Sequence, residues 1–118
     1  MIPLQVRKFD ASQLVGEDYY LPTEKLIAGN PKQTLYKHYS DASGKFFTGV
    51  WQSEAGKWHV QYSEEEYCQL QQGISIITDH EGNAVTVSAG ESFDIPRGFI
   101  GTWEVVEPTK KIYVVYEP

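Results

Sequence analysis

The stretch ISIITDHEGNAVTVSAGESFDI, residues 74–95, reads as strand, turn, strand, turn, strand. Its apolar runs at 74–79, 84–88 and 92–95 are too short for helices and right for strands. They are separated by Asp79-His80-Glu81-Gly82-Asn83 and by Ala89-Gly90. Gly and Asn tolerate the positive φ that tight turns need, so these breaks are turns with a mechanism.

The same punctuation runs outward in both directions. Turn signals fall at Asp41-Ala42-Ser43-Gly44, Ser53-Glu54-Ala55-Gly56, Gln72-Gly73, Pro96-Arg97-Gly98 and Glu107-Pro108. The segments between them predict further strands over 34–40, 45–52, 57–62, 66–71, 102–106 and 110–116. Many short strands at close spacing predict an all-β sandwich or closed barrel. Residues 1–30 differ, with Pro3 and Pro22 and no sustained period. They read as an N-terminal arm that packs on the barrel or on a partner subunit, ahead of a barrel over 31–118. Within the arm, Asp10 and Ser12 suit the cap of one helical turn.

A chain of 118 residues sustains one core, and 41% apolar residues with 14% aromatic are enough to fill it. Rings on this scale fit half-buried sheets. A net charge of −6 repels a phosphate backbone, which speaks against nucleic acid as a partner. No apolar run approaches a membrane span and residues 1–5 lack a secretory pattern, so a cytoplasmic protein without a membrane partner is expected. The single cysteine, Cys68, excludes an internal disulfide and a multi-cysteine zinc site, and reads as a small buried apolar residue.

Two motifs carry a family resemblance. Glu66 to Gly73 reads E-x6-G, and Gly90 to Gly98 reads G-x5-P-x-G. In this order on an all-β background, the pair resembles the two motifs of the cupin superfamily, whose members are double-sheet jelly rolls. The strings SDASGKFFTGVW (40–51), GKW (56–58), IPRG (95–98) and GTWEV (101–105) are similar to one subfamily of small single-domain cupins. That subfamily is related to the ureidoglycine aminohydrolase cupin domain and the ethanolamine-utilisation cupin. The resemblance implies a double-stranded β-helix, or jelly-roll, barrel open at one end, commonly a homodimer, with the ligand site inside.

Metal-binding cupins hold their ion with two histidines of an H-x-H pair, the motif glutamate and a third histidine after the second motif. The matching positions here are His59, Gln61, Glu66 and Gly101. Two ligands are retained, one is an amide and one is absent, so the resemblance implies a degenerate site. His59, Gln61 and Glu66 are expected to share one cavity, because alternate strand residues face the same way. Imidazole with carboxylate suits Mn, Fe, Ni or Zn, held weakly for want of ligands. No tightly bound cofactor is expected. His59 and Glu66 are also the candidates for general acid–base catalysis.

Trp103 shares parity with Gly101 and is expected on the pocket wall beside the gap left at Gly101, with Phe93 and Ile95 as neighbours. Arg97, at the barrel mouth, is a candidate for attracting an anionic metabolite. His38 is outside the motif, and His80 sits in a solvated turn. The leading reading is a small-molecule-binding cupin of undetermined specificity, catalytic or not, whose partner is a metabolite. The alternatives are a metal-dependent enzyme acting on a small amine, amide or keto metabolite, and a non-catalytic assembly or sensing domain.

Overall fold

A computed structural model describes residues 4–118, so the first three residues of the 1–5 stretch and Pro3 of the arm lie outside the described part. The described residues form nine strands: β1 (Glu17–Tyr19), β2 (Leu26–Ala28), β3 (Gln33–Ser40), β4 (Phe46–Ser53), β5 (Gly56–Gln61), β6 (Glu65–Asp79), β7 (Ala84–Ser88), β8 (Ser92–Ile95) and β9 (Ile100–Tyr116). All pairings are antiparallel. One path runs β1-β3-β4-β9-β5-β2, and β6 pairs with β7, β8 and β9.

The two long strands make the barrel. Residues 109–116 of β9 lie between β4 and residues 65–72 of β6, whereas residues 100–105 lie between β5 and the other end of β6. Likewise β6 pairs with β8 through 66–69 and with β7 through 74–78. Each strand therefore passes from one side of the fold to the other, as corners of packed sheets require. The bend falls where the register shifts between Leu70 and Ser75. Gly73 sits there at φ +89, and a Cβ on it would run into the Pro108 carbonyl of β9. Only glycine combines that conformation with that approach.

The result is an antiparallel jelly-roll β-barrel. Gly73 and Pro108, which read as turns in the sequence, are bends inside continuous strands, so the segments 66–71 and 74–79 are one strand, as are 102–106 and 110–116. The arm contributes two edge strands that its irregular spacing does not announce: β1 against β3, and β2 against β5. Asp10 accepts from the Ser12 amide at 3.0 Å at the start of a single 3-10 turn, Ala11–Gln13.

Alternation decides what faces inward. On β6, Glu66, Cys68 and Leu70 are buried before the bend and Ser75 and Ile77 after it, so the bulges exchange the inward parity. On β9 the buried set is Trp103, Val105, Thr109, Lys111, Tyr113 and Val115. Trp51, Trp58 and Trp103 meet edge to face, at centroid separations of 6.1 Å (51–58) and 5.5 Å (51–103). Such contacts add about 0.5–1.5 kcal/mol per pair beyond burial.

Candidate functional site

The barrel interior holds a cavity of about 230 Å³. Its walls are aromatic: Phe47 and Trp51 from β4, Trp58 from β5, Tyr62 just beyond it, and Trp103 and Tyr113 from β9. Two charged side chains interrupt them, Glu66 of β6 and Lys111 of β9. Lys111 Nζ donates to Glu66 Oε2 at 3.0 Å, with the two side chains only 6% and 8% exposed. The ammonium also lies 4.5 Å from the Trp103 ring centroid and 4.9 Å from that of Trp51, within cation–π range.

The walls are themselves anchored. Trp103 Nε1 donates to Ser75 Oγ at 3.1 Å, and Ser75 shares a 2.8 Å hydrogen bond with Thr109. Trp51 Nε1 donates to the Tyr19 hydroxyl at 2.9 Å, so β1 of the arm helps fix the cavity's end. With indole positions set by hydrogen bonds, the cavity's shape is largely preformed.

Electrostatics follow from burial and from the pair. Desolvation is the largest single influence on Lys111 and would lower its pKa, but the Glu66 carboxylate and its hydrogen bond, together with the nearby Cys68 and Tyr62 groups, outweigh it and hold the ammonium above the usual lysine range. Burial raises the Tyr62 phenol, with the Glu66 charge adding to the rise and Lys111 opposing it. Burial also pushes Cys68 up to about 12 and Tyr113 to about 12. Near neutrality these three are uncharged, and the cavity carries one positive and one negative group.

His59 and Gln61 do not join this site. Trp58, Val60 and Tyr62 take the inward parity of β5 and its continuation, so His59 and Gln61 point outward and are exposed. Together with Arg97, Lys25 and Gly101 they line a separate outer hollow of about 810 Å³ that Tyr62 also borders. The expectation that His59, Gln61 and Glu66 point into one cavity is thus corrected, and with it the pairing of His59 and Glu66 for proton transfer. The alternation apolar–polar–apolar–polar–apolar over Trp58-His59-Val60-Gln61-Tyr62 carries this signal in the sequence itself.

Gly101 is corrected as well. It shares the inward parity of Trp103, but a Cβ there would collide with the Thr78 carbonyl of β6 and come within 3.0 Å of the Phe99 ring. Backbone fills the place where a third histidine would begin, so the glycine leaves no gap. Trp103 stands on the cavity wall; Phe93 packs against it at 6.0 Å, outside the cavity lining, and Ile95 is buried in the core. Arg97 lies exposed in its turn. His38 stacks on Phe9 at 4.5 Å with its pKa lowered by burial, and His80 is exposed beside Glu81.

The cavity's donor set does not suit a divalent metal. Glu66 is its one carboxylate and is already engaged by an ammonium, its other polar side chains are Gln33, two phenols and Lys111, and it contains no imidazole. Among the described residues no three His, Cys, Asp or Glu side chains cluster as ligands would. Lys111 itself is not among the candidates the sequence suggests. A lysine in a strand reads as outward-facing, and in KKIYVVY (110–116) both faces are apolar beyond it, so alternation gives no hint.

Comparison with known proteins agrees with the fold. A protein of unknown function from Pseudomonas syringae pv. tomato superposes with TM-score 0.79 at 19% identity over 89% of this chain, which spans only 45% of that protein. The EutQ protein of Clostridium difficile aligns at 0.61 and 20% identity over 72% of this chain and 69% of its own. A predicted oxalate decarboxylase from Thermotoga maritima aligns at 0.69 and 13% identity over 95% of this chain and all of its own, 100%. No curated protein matches. The model of the EutQ-like cupin domain matches residues 40–113, a span that includes β4 to β8, the ion pair and all three tryptophans, and the chain therefore belongs to the EutQ-like cupin domain family.

Proposed function

We propose that this protein is a metal-independent, small-molecule-binding cupin whose ligand enters the aromatic cavity and is held by Glu66 and Lys111. One observation carries the reading: a buried ion pair lies on the wall of a cavity of about 230 Å³. Buried ion pairs are poor stabilisers, since their desolvation offsets much of their attraction, and well-packed apolar residues do as well or better. A pair kept beside open space has a use that packing alone does not explain. Few, convergent polar groups among aromatic walls are the usual make-up of a metabolite site. The alternative of a metal-dependent enzyme draws no support from the donor set.

All three tryptophans of the chain line the cavity, so their emission reports on occupancy. A fragment library screened by tryptophan fluorescence should yield binders that compete with one another. A Val60→Trp variant, which fills the cavity from β5, should abolish their binding while remaining folded. Binders unaffected by that change, or none at all, would overturn the reading. Metal analysis of protein purified without chelator should find less than stoichiometric Mn, Fe, Ni or Zn; a full equivalent would restore the metal reading.

A further inference from the structure

We infer that the ligand of this cavity is a net-neutral molecule presenting a hydrogen-bond acceptor and a donor side by side, as a primary carboxamide does, with the acceptor toward Lys111 and the donor toward Glu66. This rests on the cavity being a binding site and adds the chemistry of its occupant. The grounds are charge balance and hydrogen-bond capacity. Lys111 and Glu66 lie 3.0 Å apart and cancel, and every other group on the wall is an aromatic, an aliphatic, an amide or an un-ionised phenol.

A cationic ligand would meet Lys111 with like charge, and an anionic one would meet Glu66. Either would leave one uncompensated charge in a water-poor site, which is strongly unfavourable. A neutral occupant adds no net charge. The pair retains capacity for it: an ammonium has three protons and a carboxylate about four lone-pair sites, so the 3.0 Å bond between them, with the Tyr62 hydroxyl on Glu66 and the Cys68 thiol beside both, leaves each able to bond further. The Trp51 and Trp103 faces beside the ammonium restrict its approach directions and favour a flat ligand that stacks as it bonds. A volume of about 230 Å³ suits a compact molecule, given about 30 Å³ for each water of liquid.

Four probes that share one ring and differ in headgroup test this by tryptophan fluorescence at pH 7.5: benzamide, benzoate, benzylamine and toluene. Benzamide should bind at least about tenfold more tightly than benzoate or benzylamine, the scale of one well-made charged hydrogen bond. The double variant Glu66→Gln, Lys111→Met keeps the site neutral, and its fold is checked by circular dichroism. It should still bind toluene and lose the preference for benzamide. Benzoate or benzylamine binding as well as benzamide, or a preference that survives in the double variant, overturns the inference. Toluene binding without headgroup selectivity leaves the cavity reading standing and sinks only this one, whereas silence from all four probes sinks both.

Discussion

Lys111 and Glu66 sit on adjacent strands, β9 and β6, but are not cross-strand partners: Glu66 pairs with Val115 and Lys111 with Leu70. The long lysine side chain spans that offset to bring Nζ within 3.0 Å of the carboxylate, lying against two indoles on the way. Lysine stems commonly bury their methylenes along apolar surface with the charge in water; here the charge is buried too.

Removing one member of the pair should therefore cost far more than removing both. Glu66→Gln or Lys111→Met alone leaves an uncompensated buried charge, with an expected loss of about 3–5 kcal/mol, whereas the double variant should lie within about 1–2 kcal/mol of the parent or above it. Urea denaturation of the four proteins closes the cycle. Single-variant losses that simply add in the double would show that the two groups do not interact.

Stability should fall on the alkaline side, above about pH 9. Cys68 and Tyr113 ionise near 9.0 and 10.0 when unfolded but only at about 12 when folded, and Lys111 keeps its proton beyond its ordinary 10.5. In each case the native state holds more protons than the unfolded one, so raising the pH favours unfolding. The contributions are complete below the unfolded values and disappear as pH rises through the folded ones. For the buried Cys68 thiol, each pH unit between its unfolded and folded values is worth about 1.4 kcal/mol. Urea midpoints at pH 7, 9, 10.5 and 11.5 measure this; Cys68→Ala should flatten the first part of the decline. Rising stability above pH 9 would contradict it.

The chain is expected to pair with a second copy. Among the described residues β1 and β2 end the sheet path, β7 and β8 each pair only with β6, and Leu4, Val6 and Val15 of the arm are exposed apolar residues. Open edges and uncovered apolar groups are what a symmetric partner covers. Sedimentation should give a dimer at micromolar concentration, and removal of residues 1–15 should weaken it. A monomer throughout the range rejects the pairing.

Much of the barrel is legible in the sequence because its turns carry their own chemistry. Gly82-Asn83 and Gly90 bound β7, and the observed strands Ala84–Ser88 and Ser92–Ile95 match the sequence reading residue for residue. Gly73 is different: its positive φ serves a bend within β6, and a glycine's conformational freedom looks the same in a turn and in a bulge. The site is less legible for two reasons. Motif position places His59 inward against the local alternation of β5, and burial follows the alternation. Lys111 has no signal of its own, since the carboxylate that makes its burial tolerable is 45 residues away in sequence.

Gly101 provides the sharpest test of the site's geometry. If the barrel were a metal site that had merely lost a histidine, Gly101→His would restore a ligand and gain affinity for Ni or Zn. The backbone predicts otherwise. Gly101 is paired on one side with Val60 and on the other with Asp79, and the Thr78 carbonyl occupies the space of a Cβ. Any side chain must push β6 and β9 apart where they jointly form the cavity wall beside Trp103. Overpacking of this kind costs about 1–3 kcal/mol, and more when backbone rather than a flexible side chain must yield. Gly101→Ala should already lower the melting temperature by several degrees, on the scale of about 4–8 °C per kcal/mol for a domain of this size. Gly101→His should lower it further, with no added metal affinity by calorimetry, because His59 faces the other side of the sheet and Glu66 remains bound to Lys111. Stoichiometric nickel binding by Gly101→His with an unchanged melting temperature would show that the space is open and that the interior is a metal site after all.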